Sequence, residues 1–110
     1  MCFFRKKTEA DTVKKNRDQI SFNEKQIETL IVLAGRNEDF IKSLRATKEK
    51  IKYLTPSAVG KVADYDKKIK DLIDDLKIVL TKAAGEEIPQ KANNLLTQIN
   101  VYIAERNANI

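Results

Sequence analysis

The sequence predicts an all-α fold, namely an up-down-up antiparallel three-helix bundle with a long or bent N-terminal helix. Apolar residues recur alternately three and four positions apart along three stretches of the chain, which is the pattern of helices packed lengthwise. Only two prolines and three glycines occur in 110 residues, so few breaks are available. The connections between the periodic stretches are short, and consecutive helices must therefore lie antiparallel.

The first helix is predicted over about residues 21–54, where Ser21 followed by Glu24 forms a capping box. In this interpretation residues 9–19 form a separate short helix. A bend at residues 20–22 then joins the short helix to the main one.

A continuous first helix from Thr8 to Leu54 is the alternative. Apolar residues favour it because they recur every seven positions, with further apolar residues between them: Val13, Ile20, Ile27, Ala34 and Ile41, with Leu30, Leu44 and Ile51. Asparagine replaces leucine at three alternate positions of the same seam, namely Asn16, Asn23 and Asn37. The seam is therefore expected to be weaker toward the N-terminus.

Thr55 and Pro56 indicate the start of the second helix, because threonine is a good N-cap and proline fits the first helical position. This helix is predicted over residues 56–84, and Gly85 supplies the left-handed residue that commonly ends a helix. Its predicted core-facing residues are Val62, Tyr65, Ile69, Leu72, Leu76, Val79 and Ala83. The third helix is predicted over residues 89–107.

The predicted bundle, residues 21–110, follows a basic N-terminal arm of residues 1–20. The net charge of the chain is +5, and it is unevenly distributed. The arm contains six positive and three negative side chains, whereas residues 86–110 contain two positive and three negative ones. An anionic partner would therefore meet the N-terminal end first.

The composition argues against an enzyme and against a bound cofactor or metal. Histidine is absent and Cys2 is the only cysteine, which removes the catalytic and metal sites built on these residues. Five acids of the second helix alternate with lysines and are interpreted as a solvated face that pairs its charges: Asp64, Asp66, Asp71, Asp74 and Asp75. With no apolar run long enough to span a membrane and no signal peptide, the mature chain is expected in the cytoplasm.

The leading functional hypothesis is a non-enzymatic interaction or assembly module that binds itself or another protein. The third helix is too short to cover the whole hairpin of the first two, so an apolar strip is expected to remain exposed for a partner. A homo-oligomer is the expected assembly. The candidate interface residues are Phe3, Phe4, Val13, Ile20, Phe22, Leu33 and Phe40.

The alternative hypothesis is a peripheral membrane or nucleic-acid adaptor that uses the basic N-terminal segment. Its candidate contact residues are Arg5, Lys6, Lys7, Lys14, Lys15 and Arg17. A lipid-modified Cys2 beside two aromatic residues and this basic cluster would suit a membrane surface. Nucleic acid is the less favoured partner, because no aromatic residues alternate with the lysines of the first helix to stack on bases.

Overall fold

A computed structural model describes the backbone of residues 2–109 and the side chains of residues 11–109. The described residues form four α-helices and no strand: α1 (Cys2–Leu33), α2 (Glu38–Lys52), α3 (Gly60–Ala83) and α4 (Gln90–Ala108). The all-α prediction is confirmed. The prediction of three helices is wrong, because the predicted first helix is divided into α1 and α2.

The division between α1 and α2 falls at residues 34–37. Gly35 adopts a φ of 64°, a left-handed conformation that is accessible to glycine at little cost. The side-chain amide of Asn37 donates hydrogen bonds to the carbonyl oxygens of Ala34 and Glu86, each at 2.8 Å. The turn is therefore stabilised by one glycine and one asparagine.

Helix α1 continues without interruption through residues 20–22, so the predicted bend is not found there. Helix α3 begins at Gly60 and not at Pro56. The segment before it, residues 53–59, is a crossover whose polar groups bond to other parts of the chain; for example, the Ser57 amide donates a hydrogen bond to Asn16 Oδ1 of α1 at 3.0 Å. Helix α4 agrees with the predicted third helix to within one residue at each end.

The four helices form a bundle in which each helix lies beside two others. Helix α1 lies beside α2 and α3, and α4 lies beside α3 and α2, so α1 and α4 occupy opposite corners. The crossover, residues 53–59, passes diagonally over one end of the bundle from α2 to α3. Because the chain reverses direction at each connection, α1 and α3 are parallel neighbours. The bundle measures 57 × 22 × 19 Å.

The core is aliphatic along most of its length. Helix α3 buries Val62, Asp66, Ile69, Ile73, Leu76 and Leu80, and not the predicted seam in full. Tyr65, Leu72 and Val79 of that predicted seam are only half-buried. The buried stripe of α3 differs from the predicted seam because α3 packs between two neighbours, α1 and α4. A single seam is the pattern of a helix that packs against one partner.

The turns of the two hairpins meet at the end of the bundle opposite the crossover. A Cβ atom placed on Gly35 would lie 2.9 Å from the Cα atom of Gly85, so the two backbones approach too closely for a side chain at Gly35. The turn between α3 and α4 contains two successive left-handed residues, Ala84 with φ 51° and Gly85 with φ 81°. Alanine is strained in this conformation because its Cβ atom crowds the following carbonyl oxygen.

Replacing this strained alanine is expected to stabilise the protein. Ala84→Gly should raise the free energy of unfolding by about 0.5–1 kcal/mol, because relief of the left-handed strain outweighs the added flexibility of the unfolded chain. Urea denaturation followed by circular dichroism measures the change. The matched control is Ala104→Gly in the exposed interior of α4, which should lower the same free energy by about 1 kcal/mol. A loss of stability with Ala84→Gly would contradict the prediction.

Candidate functional site

A cluster of buried polar side chains lies at the end of the bundle where the crossover passes. Asn16 of α1, Asp66 of α3 and Arg106 of α4 meet there, and each is at most 4% exposed. The Arg106 Nε atom donates to Asp66 Oδ1 at 2.8 Å, and Asn16 Nδ2 donates to Asp66 Oδ2 at 2.6 Å. Three helices that are distant in sequence are thus joined at one carboxylate.

The crossover belongs to the same cluster. The Arg106 Nη2 atom donates to the carbonyl oxygen of Thr55 at 2.9 Å and to Asn16 Oδ1 at 3.1 Å. The Ser57 amide donates to the same Asn16 oxygen at 3.0 Å. Asn16 therefore acts as donor to the carboxylate and as acceptor from the guanidinium and the crossover.

A second asparagine, about two helical turns after Asn16 on α1, extends the cluster along the bundle. Asn23 Nδ2 donates to the backbone carbonyl of Asp66 at 3.2 Å, and Gln19 Nε2 donates to Asn23 Oδ1 at 3.0 Å. Nη1 of Arg106 is buried and has no hydrogen-bond partner among the described residues. The charges are therefore compensated by one ion pair and a set of neutral donors and acceptors.

This cluster is a structural centre, because none of its charged atoms reaches the surface. Sequence reasoning had interpreted Asp66 as part of a solvated face, and the structure corrects this. The spacing of Asp66 relative to its apolar neighbours indicates burial, because Asp66 lies four residues after Val62 and three before Ile69, both of which are buried. Arg106 follows Ile99 and Ile103 at the same spacing on α4.

The predicted interface residues do not form one surface. Ile20 and Phe40 are buried in the core, so the structure corrects their assignment to an exposed strip. The fourth helix provides the apolar cover that a three-helix arrangement lacked. Phe22 is 43% exposed beside Lys70, whose ammonium lies 6.0 Å from its ring centre, while Val13 and Leu33 are half-buried. Phe3 and Phe4 lie outside the described side chains.

The predicted anion-contact residues lie along the N-terminal half of α1. Lys14, Lys15 and Arg17 are exposed. Arg5, Lys6 and Lys7 lie in the helical part of α1 whose side chains are outside the described ones.

The N-terminal end of α1 extends beyond the rest of the bundle. The hydrogen bond between Asn16 and Asp66 places these residues at one level. Helix α3 begins six residues before Asp66, about 9 Å away, whereas α1 begins fourteen residues before Asn16, about 21 Å away. Residues 2–9, here called the N-terminal extension, therefore have no helix of this chain beside them.

The two hairpins differ in charge. Residues 1–55 contain thirteen Lys and Arg against eight Asp and Glu, whereas residues 56–110 contain eight of each. The whole surplus of +5 therefore belongs to the first two helices and their connections. The positive potential of the molecule is strongest on the α1–α2 hairpin and its N-terminal extension.

Two surface ion pairs accompany the buried one. Lys48 of α2 donates to Glu28 of α1, and Lys70 donates to Asp74 one turn later at 2.9 Å. These hydrogen bonds raise the pKa of both lysines above its ordinary value of 10.5. Their contribution to stability is therefore complete below pH 10.5 and is lost as the pH rises above it.

Within the described part of the chain, no three Cys, Asp or Glu side chains are arranged to hold a metal ion. No helix there is long and apolar enough to cross a membrane.

Removing one partner of the buried ion pair is expected to destabilise the fold. Asp66→Leu and Arg106→Leu should each lower the free energy of unfolding by about 3–5 kcal/mol, because each leaves an uncompensated buried charge. The double variant should lose less than either single variant, since both charges are then absent. A double-mutant cycle measured by urea denaturation tests this coupling.

The matched surface control is the pair Lys70 and Asp74, which is partly exposed. Lys70→Leu and Asp74→Leu should each leave the urea midpoint nearly unchanged, because an ion pair in contact with water contributes little to stability. Additive losses at Asp66 and Arg106 would show that the two residues do not act as a pair.

The sequence matches no known protein-family model. Comparison with curated proteins and with solved structures also found no significant similarity.

Proposed function

We propose that this protein is a non-enzymatic helical interaction module that binds a protein partner through the N-terminal extension of α1. The observation that carries this proposal is the length of α1, which has 32 residues against 15 in α2. Helices in proteins derive most of their stability from packing against a neighbour. The N-terminal extension has no such neighbour within the chain, which favours a partner that supplies one.

The composition of the N-terminal extension supports the proposal. It contains Phe3 and Phe4 followed by three basic residues. Aromatic and arginine side chains are enriched at protein interfaces because they bury a large area and form hydrogen bonds at its edge. Phe22, on the same helix and partly exposed, supplies a further apolar contact on the bundle itself.

The polar centre of the bundle supports the non-enzymatic character of the proposal. Asp66 and Arg106 are fully buried and bonded to each other, so a substrate cannot reach either charge without opening the fold. A cofactor is not part of the proposal. The cytoplasmic location stays a prediction.

The second candidate function is a peripheral membrane or nucleic-acid adaptor, and the charge distribution favours it. The surplus of positive charge lies on the α1–α2 hairpin, and the exposed Lys14, Lys15 and Arg17 continue toward the basic residues of the N-terminal extension. Such a segment would attract an anionic surface, and binding would weaken with salt.

Deleting residues 1–9 tests the leading proposal. The solution mass of the full chain and of the deleted chain, measured by light scattering coupled to size exclusion, should show association that weakens at least about tenfold on deletion. The deletion leaves Asn16 and Ile20 in place, so the bundle itself should stay folded.

The matched variant keeps the N-terminal extension but neutralises Lys14, Lys15 and Arg17 to glutamine. It should leave protein association unchanged. If it instead abolishes binding to vesicles of anionic lipid or to DNA while the solution mass is that of a monomer throughout, the adaptor function replaces the leading proposal.

A further inference from the structure

The turn between α1 and α2, residues 34–37, interrupts a pattern that continues on both sides of it. Ile27, Ala34 and Ile41 are spaced by seven residues across the turn. Leu30, Leu44 and Ile51 keep the same seven-residue frame, and all three are fully buried. Two helices joined by a turn can follow any relative spacing of apolar residues. A continuous helix that packs along one seam keeps the seven-residue spacing throughout.

The turn itself contains no proline and depends on few contacts. Gly35 is left-handed, and its backbone lies against that of Gly85. A hydrogen bond from the Asn37 side-chain amide to the Glu86 carbonyl oxygen joins this turn to the second hairpin. If residues 34–37 became helical, these contacts would be exchanged for backbone hydrogen bonds of a continuous helix.

A continuous helix would separate α1 from its own bundle. The contacts that α1 would lose are specific: Glu28 with Lys48 of α2, and Asn16 with Asp66 of α3 and Arg106 of α4. A second copy of the chain presents these same partners in the same arrangement. Exchange of identical elements between two copies preserves such contacts and changes only the hinge.

We propose that two copies of this chain exchange α1 and form a dimer in which residues 2–52 are one continuous helix. In this dimer the two long helices lie antiparallel where α1 of each chain passes α2 of the other, and the N-terminal part of α1 lies beside α3 of the other chain. Ala34 and Asn37 lie where the two hinges cross. The shared seven-residue frame then continues through the hinge, with Asn37 in place of an apolar residue.

The inference goes beyond the proposed function, and its partner is a second copy of the chain. It uses a different part of the molecule, because the exchanged contacts begin at Asn16 and leave out the N-terminal extension. Deleting residues 1–9 should therefore leave the exchange intact, so the failure of one proposal can be told from the failure of the other.

Two substitutions at the hinge should shift the equilibrium in opposite directions. Gly35→Ala disfavours the turn, because alanine is strained at a positive φ and its Cβ would contact Gly85. With one hinge in each of the two chains, it should lower the dissociation constant of the dimer by roughly a hundredfold. Glu38→Pro should act oppositely, because in the turn proline removes one hydrogen bond, from the Glu38 amide to the Arg36 carbonyl at 2.9 Å, whereas inside a continuous helix it also clashes with the preceding turn of backbone.

Gly60→Ala is the matched control. Gly60 has no atom of another residue within 4 Å of an added Cβ, and the same substitution there should leave the dissociation constant unchanged. Analytical ultracentrifugation of all four proteins, refolded from urea at millimolar concentration, measures the dimer.

Cross-linking distinguishes exchange from any other dimer, and it does not depend on the hinge variants being stable. Glu28→Cys and Lys48→Cys, in a chain carrying Cys2→Ser, place one thiol on α1 and one on α2 where these side chains meet. A short bismaleimide should join them between chains in the refolded dimer fraction and within one chain in the monomer. The same result is expected without residues 1–9.

A dimer with cross-links only within each chain would overturn the exchange. So would a chain that stays monomeric after refolding at millimolar concentration. A dimer that is lost on deleting residues 1–9 and has only internal cross-links would support the N-terminal extension as the interface and would also overturn the exchange.

Discussion

The ion pair between Arg106 and Asp66, closed off from solvent, is the constraint on which the arrangement of the bundle depends. A buried guanidinium and carboxylate are costly unless most of their remaining donors and acceptors are also bonded. That requirement brings Asn16 of α1 and the crossover carbonyl of Thr55 to the same place. The parallel register of α1 beside α3, and the diagonal path of the crossover, are both consistent with the positions these bonds demand.

The cluster also divides α1 into parts with different attachments. Near the hinge, Ile27, Leu30 and Ala34 pack in the aliphatic core. Toward the N-terminus the buried positions are occupied by Asn16, Ile20 and Asn23, so attachment there depends largely on hydrogen bonds. Only residues 2–9 have no described helix of this chain beside them. From the hinge toward the N-terminus, the contacts of α1 with the bundle thus change from apolar packing to hydrogen bonds and then end. Its N-terminal half is therefore the element of this fold best suited to a change of partner.

The candidate sites were predictable only in part. The basic residues Lys14, Lys15 and Arg17 are exposed, because charged side chains remain in water unless they are paired. The sequence shows that Ile20 and Phe40 are apolar, but it does not show whether a fourth helix of the same chain or a partner covers them. The buried role of Asp66 was missed because its neighbours in sequence are lysines, while its actual partner, Arg106, lies forty residues away.

The sequence by itself determined the helical class, the ends of α4 and the left-handed turn at Gly85, since these depend on local propensity, periodicity and capping. Only the tertiary structure decided that the first helical stretch folds back at Gly35, since the seven-residue frame is compatible with either a straight or a folded helix. The contact of Gly35 with Gly85, and the bond from Asn37 to Glu86, favour the folded form within one chain. The same is true of the buried ion pair, because whether Asp66 and Arg106 are exposed or joined depends on which helices become neighbours.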